Sequence, residues 1–253
     1  MDSGFYAACA GLRAQSQALE VVAHNLANLN TAGFHGDQAT FQSLLAVSRT
    51  AAPNVLSNVL NSAANNFGVL EGTHMDMTAG NLVTTGNPLD VGIEAGGFFA
   101  VQTARGTRYT RNGSFQVSSS GVLVTSAGDP VLGDPALGAK GVINIPAGPV
   151  SIASDGTLSV KGAVAGSIRL VEFAPGTKLT PEGETLLAAP EGSAKLSQHS
   201  ALRQGVIETS NVNSISSVVT LIGVQRQAEM LQRAMTLFDN EFNRIASTDL
   251  AKV

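Results

Sequence analysis

The sequence has no tryptophan, one cysteine and few charged residues, and these shortages exclude several classes of protein. The lone Cys9 excludes an intramolecular disulfide. With 13% charged residues and a net charge of −4, the chain has no basic patch that would favour nucleic acid or an acidic membrane surface. No apolar run approaches the roughly 18 residues of a membrane span, and the start "MDSGFYAACAG" lacks a basic region before an apolar one. We therefore expect no nucleic-acid partner, no direct membrane insertion and no cleavable signal peptide.

Clusters of titratable residues in a catalytic or metal-binding spacing are also missing. The motif "THMDM" (73–77) has no second cluster to complete a metal site, and Asp129 and Asp155 stand beside glycine or proline, where their side chains serve turns. We expect no enzyme activity, no catalytic or metal-binding residue and no cofactor, and we expect His24 and His35 to have surface or capping roles. The histidines, which form no metal-binding helix motif, are His24, His35, His74 and His199.

What the sequence does contain is one helical pattern at each end. Apolar residues recur there at alternating spacings of three and four, which predicts two helices with a narrow apolar stripe. Such a stripe buries little surface alone, so each helix needs a partner. Either the two helices pair with each other, parallel or antiparallel, or they flank one globular core. The stripes are Phe5, Ala8, Leu12, Gln15, Leu19, Val22, Leu26, Leu29 and Leu221, Val224, Ala228, Leu231, Met235, Phe238, Phe242, Ile245.

Between the ends the period changes to two, and turn residues recur at short intervals. Asn112-Gly113 predicts a type I′ hairpin, and Ser120-Gly121, 128–130 and Asp155-Gly156 predict further turns. The pattern indicates an antiparallel, all-β central domain of meander or barrel type, and therefore an α+β fold. The predicted boundaries are an N-terminal assembly helix (1–35), a linker or extended segment (36–80), the β-domain (81–204) and a C-terminal assembly helix (205–253).

Three stretches resemble the flagellar rod and hook proteins. "GLRAQSQALEVVAHNLANLNTAGF" (11–34) is similar to their N-terminal signature, and "LRQGVIETSNVNSISSVVTLIGVQRQAEMLQRAM" (202–235) is similar to their C-terminal one. "GNPLDVGIEAGGFFAVQT" and "RYTRNGSFQVSSSGVLVTSAGDPVLG" resemble their β-domain. The length and the opening "MDSGFYAA" favour the FlgF-type proximal rod proteins, with the FlgG-type distal rod proteins next. The chain departs from the signatures at His24, His35-Gly36, Ser216-Ser217 and Ala228.

The resemblance implies a structural subunit of the bacterial flagellar basal-body rod, in the periplasm. Such a subunit would polymerise helically through coiled-coil-like terminal helices and transmit torque between motor and hook. Its partners would be copies of itself, other rod and hook axial proteins, and the flagellar type III export apparatus. Two alternatives stay open: a soluble β-domain binding or adhesion module whose helices form a closed oligomer, and an enzyme with a pocket built by residues 85–130.

The assembly interface that this implies lies on the terminal helices and on the amide-rich segments beside them. Gly33 is expected to be the left-handed cap of the first helix. We expect Asn25, Asn28 and Asn30 at intersubunit contacts, because an amide offers donors and an acceptor without charge. The full set is Leu12, Leu19, Val22, Asn25, Leu26, Asn28, Asn30, Gly33, Phe34, Asn211, Asn213, Leu221, Val224, Gln225, Arg226, Leu231, Met235, Phe238 and Phe242.

Overall fold

A computed structural model describes residues 2–42, 69–135, 141–197 and 201–250 of the chain. Within these residues the fold is α+β, with a helix near each end and a central region in which the paired strands run antiparallel. The chain divides into two compact units. The first, the helical unit, is drawn from 1–27, 37–76 and 213–253, and the second, the β-unit, from 28–36 and 77–212.

The helical unit consists of two helices and a two-stranded sheet. Helix α1 (Asp2–Ala27) contacts α2 (Ser214–Leu250) and also both strands, β1 (Asp37–Gln42) and β2 (Val69–Met75). The strands pair antiparallel, with Asp37 opposite Met75. Within the predicted linker 36–80 the structure therefore contains paired strands, while its stretch 43–68 lies outside the described residues. Neither of the two described helices is long and apolar enough to cross a membrane.

The helices occupy part of the two segments assigned to them. Helix α1 ends at Ala27, within segment 1–35, and α2 begins at Ser214, within segment 205–253. Residues 206–208 instead form a strand, because their alternating pattern buries Val206 and Glu208 on one face while Ile207 stays partly exposed.

The β-unit is built from short strands. They are β3 (Leu82–Thr84), β4 (Val91–Ile93), β5 (Phe98–Thr103), β6 (Gly106–Thr110), β7 (Phe115–Val117), β8 (Leu123–Thr125), β9 (Val150–Ile152), β10 (Thr157–Val160), β11 (Ala163–Ser167), β12 (Leu170–Glu172), β13 (Thr180–Glu182), β14 (Leu186–Ala188), β15 (Lys195–Leu196), β16 (Leu202–Gln204) and β17 (Val206–Glu208).

One six-stranded sheet and one three-stranded sheet organise the β-unit. Their strand orders are β13-β14-β6-β5-β12-β15 and β11-β10-β9, and two-stranded ladders join β16 to β4, β17 to β3 and β7 to β8. Apolar residues of these strands and of the segments between them meet in one core, which excludes water from a large apolar surface. The core consists of Val91, Ile93, Phe99, Val101, Phe115, Leu123, Val131, Ile143, Ile145, Ile152, Leu158, Val160, Ile168, Leu170 and Leu202.

The turns test the sequence predictions directly. Gly121, Gly128 and Gly156 have φ angles of 80°, 91° and 87°, and each N–H donates to the carbonyl three residues earlier, which confirms three of the four predicted turns. The fourth prediction is wrong, because β6 pairs with β5 and β14 and β7 pairs with β8, so Asn112-Gly113 joins no hairpin. Gly113 packs directly against the backbone of β4, because an added Cβ would lie 1.7 Å from the Val91 carbonyl oxygen.

Candidate functional site: a buried polar joint

The segment that follows α1 folds into the β-unit. Asn28 is buried, and its side-chain oxygen accepts a hydrogen bond of 3.0 Å from the Thr31 hydroxyl, which closes the turn after the helix. Gly33 has a φ of +66°, as expected for a left-handed residue, but it lies six residues beyond the helix end and does not cap it. Its N–H donates instead to the Glu208 carbonyl at 2.8 Å. The segment is thereby bonded to β17.

Gly33 is required by space as well as by its backbone angle. A Cβ at this position would lie 2.3 Å from the Asn112 nitrogen and 2.5 Å from the Arg111 carbonyl carbon. Both are backbone atoms, so the clash cannot be relieved by rotating a side chain. Residues 28–36 therefore approach the loop after β6 as closely as only glycine permits.

Glu208, at the end of β17, is the residue on which these contacts converge. Its side chain is 2% exposed. The carboxylate accepts hydrogen bonds from Arg111 Nη1 at 2.9 and 3.1 Å and from the Gly80 N–H at 2.8 Å. The imidazole Nε2 of His35, also buried, lies 3.6 Å from the same carboxylate. We call His35, Arg111 and Glu208, with the backbone of Gly33 and Gly80, the polar joint.

Arg111 supplies the positive charge of the polar joint. Beyond Glu208, its Nε donates to the Gly97 carbonyl at 3.1 Å and its Nη2 to the Ala95 carbonyl at 3.2 Å. The guanidinium carbon lies 5.4 Å from the centre of the Phe98 ring, within reach of a cation–π interaction. Each nitrogen of the guanidinium thus has an acceptor, which offsets the cost of removing two charges from water.

Asn211 joins the two chain segments that flank the helices. Its N–H donates to the Phe34 carbonyl at 3.3 Å, and its side-chain oxygen accepts from the Gly36 N–H at 2.8 Å. The side-chain nitrogen donates to the carbonyl oxygen and the hydroxyl of Thr78, at 3.0 and 3.3 Å. Two residues later, Asn213 is the N-cap of α2, since its side-chain oxygen accepts from the Ser216 N–H at 3.0 Å.

The structure brings together motifs that are distant in the sequence. His35 follows "TAGF", Arg111 opens "RNGSF", and Glu208 lies in "IETSNVN". None of these three residues was a candidate site residue, and a surface position for His35 is wrong, because its side chain is 4% exposed. One signal was available: Glu208 stands two residues after Val206, on the buried face of a strand.

The side-chain amides of Asn25, Asn28 and Asn30 differ in their surroundings. Asn25 uses both ends of its side chain on the backbone of Asp37, donating to its carbonyl at 2.7 Å and accepting from its N–H at 2.9 Å. Burial raises the pKa of the Asp37 carboxyl, and the nearby His24 offsets part of this rise. Asn30, in contrast to Asn25 and Asn28, is exposed. Their expected role at intersubunit contacts stays a prediction.

On α1, the most buried stripe is made of small residues. Ala8, Gly11, Ala14 and Ala18 are buried at spacings of three and four, which lets a neighbouring element approach the helix backbone closely. The predicted apolar stripe shares Ala8 with this one, but its leucines and valine lie beside it and are half-buried. Its predicted interface members are Leu12, Leu19, Val22 and Leu26.

Helix α2 has two apolar stripes, of which the sequence analysis identified one. The half-buried one, which we call the inner stripe, consists of Leu221, Val224, Ala228, Leu231 and Met235. Of the remaining predicted interface residues of this stripe, Phe238 is 47% exposed, and the side chain of Phe242 lies outside the described residues. Gln225 and Arg226 are exposed.

The second apolar stripe of α2 lies on the opposite face of the helix, as the rotation of about 100° per residue shows. This outer stripe consists of Ile215, Val219, Ile222, Met230 and Leu237, which are 76%, 65%, 44%, 61% and 69% exposed.

Comparisons with known proteins agree with the resemblance drawn from the sequence. Three family models match: "Flagella basal body rod protein" over residues 5–35, "Flagellar hook protein FlgE/F/G D1 domain" over 92–160, and "Flagellar basal body rod FlgEFG protein C-terminal" over 203–247.

Individual relatives match over nearly the whole length. The flagellar basal-body rod protein FlgF of Caulobacter vibrioides is 32% identical and covers 100% of both chains. FlgG of Buchnera aphidicola is 32% identical, covering 93% of this chain and 95% of its own. FlgF of Escherichia coli is also 32% identical, covering 96% of this chain and 97% of its own.

Proposed function

The chain belongs to the FlgF/FlgG family of flagellar basal-body rod proteins, and from this premise we propose that it polymerises helically through α1 and α2 into part of the driveshaft between motor and hook. Its homologues are structural rod proteins and not enzymes, so the function to be explained is assembly. FlgF and FlgG relatives match at the same identity, so the preference for a proximal position rests on the sequence pattern alone.

The outer stripe of α2 carries the proposal. A helix of 37 residues is roughly 55 Å long at about 1.5 Å per residue, and no described side chain on it is fully buried. One face is half-covered in the helical unit, while the opposite face presents five large apolar side chains to solvent. Burying each of these would contribute roughly 1.5–3 kcal/mol. A second chain packed against this face supplies that burial.

The chemistry of the outer stripe favours another copy of the family rather than a membrane. The stripe is interrupted by Arg226 and Arg233, and Glu229 lies 3.9 Å from Arg233. This mixture suits a helix packed in a protein wall, where charges flank an apolar contact. Because the outer and inner stripes occupy opposite faces, each helix contacts different neighbours on its two sides. Contacts of this kind are heterologous, and where the rotation from one subunit to the next does not close a ring, repetition produces a filament.

A charge placed on the outer stripe tests the proposal. With the gene replaced at its own locus, Met230→Asp and Leu237→Asp should abolish rods in isolated basal bodies and stop swimming. Both side chains are exposed, so the isolated subunit should unfold at nearly the wild-type temperature. Gln232→Asp, which adds the same charge at an exposed polar position of α2, is the matched control and should assemble. Normal rod assembly in both outer-stripe variants would contradict helical polymerisation through α2.

The remaining parts of the proposal follow from the family premise. The partners are copies of this chain, neighbouring rod and hook axial proteins, and the flagellar export apparatus, and the location is the periplasmic rod of the basal body. Labelling the chain and measuring its axial level in isolated basal bodies distinguishes a proximal from a distal position. A label found outside the rod would exclude both.

A further inference from the structure

The two chain segments that lead to α1 and α2 are bonded to each other inside the β-unit. Phe34 and Gly36 both contact Asn211, through hydrogen bonds of 3.3 and 2.8 Å, and Gly33 is bonded to the Glu208 carbonyl at 2.8 Å. These bonds all lie within residues 28–36 and 77–212, which belong to one compact unit. The attachment points of the two helices are therefore fixed side by side.

Glu208, beside Asn211 in the chain segment that leads to α2, bonds to three separate parts of the chain. Its carbonyl holds Gly33, and its carboxylate holds Gly80 and Arg111. Arg111 extends the network to the carbonyls of Ala95 and Gly97. An apolar side chain could fill the same buried position in β17 without the cost of desolvating a charge. A buried, multiply bonded charge differs from an apolar side chain because it tolerates few alternative arrangements of its partners.

We propose that Glu208 and Arg111 are positioning residues for assembly, which hold residues 28–36 against 208–211 in the unassembled subunit. The inference rests on the proposed function, since it assigns to the polar joint the task of presenting the terminal helices. Fixing both attachment points shortens the loop that closes when α1 meets α2, which lowers the entropic cost of their pairing. A subunit with a loosened joint keeps its β-core but presents its helices in many relative positions.

Glu208→Gln tests this in the full-length chain, because glutamine keeps the size of the side chain and removes its charge. Its amide would point a donor at Arg111 in place of an acceptor. Leu158→Ala is the control: Leu158 is fully buried in β10 and takes no part in the described contacts of the polar joint. Arg111→Lys keeps the charge and removes the bonds to Ala95 and Gly97. If Glu208→Gln does not fold, Arg111→Lys is compared with Leu158→Ala in its place.

Two readouts separate positioning from general stability. Hydrogen exchange at the Gly33, Gly36 and Gly80 amides should accelerate at least about tenfold in Glu208→Gln, a change of ~1.4 kcal/mol in local opening. Exchange at Ala100 and Leu132, which bond within the core, should accelerate no more than it does in Leu158→Ala. Incorporation into isolated basal bodies should fall at least about tenfold more than in Leu158→Ala, at a temperature where both variants are folded.

Each result decides the inference. Protected Gly33, Gly36 and Gly80 amides in Glu208→Gln, or wild-type incorporation with these amides unprotected, overturn the positioning role and leave the proposed function standing. Equal loss of incorporation in Leu158→Ala, at an equal loss of melting temperature, also overturns it, because the effect would then be one of stability. Normal basal bodies and swimming after deletion of the gene would overturn the proposed function itself.

Discussion

Arg111 Nη1 donates two hydrogen bonds to the carboxylate of Glu208, at 2.9 and 3.1 Å, where both side chains are almost completely removed from solvent. The residues are 97 positions apart in a chain with only 13% charged residues. The pair joins the loop after β6 to the end of β17, where the chain turns towards α2. It is therefore the natural starting point for experiments on this protein.

Removing one partner of this pair should destabilise the β-unit strongly. Arg111→Met or Glu208→Leu leaves an uncompensated buried charge, which costs about 3–5 kcal/mol. The double variant removes both charges, so its loss should be smaller than the sum of the two single losses. Urea unfolding of the three variants and the wild type measures this coupling. Strictly additive losses would mean that the two residues act independently.

Substitution of Gly33 should cost more than backbone strain alone. Gly33→Ala combines a left-handed φ with a Cβ 2.3 Å from the Asn112 nitrogen. Gly86→Ala is the matched control, since Gly86 has a φ of +76° and nothing within 4 Å of its Cβ position. The control should lose about 1–2 kcal/mol from strain, and Gly33→Ala clearly more, by thermal or urea unfolding. Equal losses would show that the close approach to Asn112 relaxes easily.

The Asn25 amide should stabilise the start of β1. Asn25→Ala removes two hydrogen bonds to the Asp37 backbone, each contributing roughly 0.5–1.5 kcal/mol. Faster hydrogen exchange at the Asp37 amide and a lower unfolding free energy of the helical unit are expected. An unchanged exchange rate would indicate that water replaces the side chain without loss.

Asn30 is the cleanest test of the hypothesis that the amide cluster contacts other subunits. Its side chain is exposed, so Asn30→Ala should change the unfolding free energy by less than about 0.5 kcal/mol. If the hypothesis holds, rod assembly should fall although the subunit is as stable as wild type. Counting rods in isolated basal bodies decides the matter, and wild-type numbers would remove Asn30 from the interface.

The pH dependence of stability should depend on Asp37. Burial raises its pKa in the folded state above the ordinary value of 3.8. The folded state therefore binds this proton more tightly, and the resulting stabilisation is complete below pH 3.8 and lost as pH rises through the folded-state pKa. Asp37→Asn should accordingly gain stability relative to the wild type at neutral pH, with the gain fading below pH 3.8.

Melting temperatures of the two proteins between pH 3 and 7 measure this difference. His24→Gln provides the companion experiment, because His24 lowers the pKa of Asp37. Its removal should raise that pKa further and enlarge the pH dependence, whereas a difference between Asp37→Asn and wild type that is constant with pH would contradict the assignment.

Much of the fold could be predicted because its signals are local. The turns at Gly121, Gly128 and Gly156 follow from the freedom of glycine to adopt a positive φ, and the inner stripe of α2 follows from helical periodicity. Local signals failed at Asn112-Gly113, where strand pairing with other partners overrode a strong hairpin preference. They also failed at the end of α1, because Gly33 bonds to the β-unit instead of capping the helix.

The sequence by itself determined the α+β class, the two terminal helices and the resemblance to flagellar rod and hook proteins, because periodicity and motif order are properties of neighbouring residues. Only the tertiary structure decided that His35, Arg111 and Glu208 lie together, and that small residues rather than leucines form the most buried stripe of α1. The partners of a buried charge are set by which distant strands pair. The sequence shows each charged residue but not the distant partner that makes its burial possible.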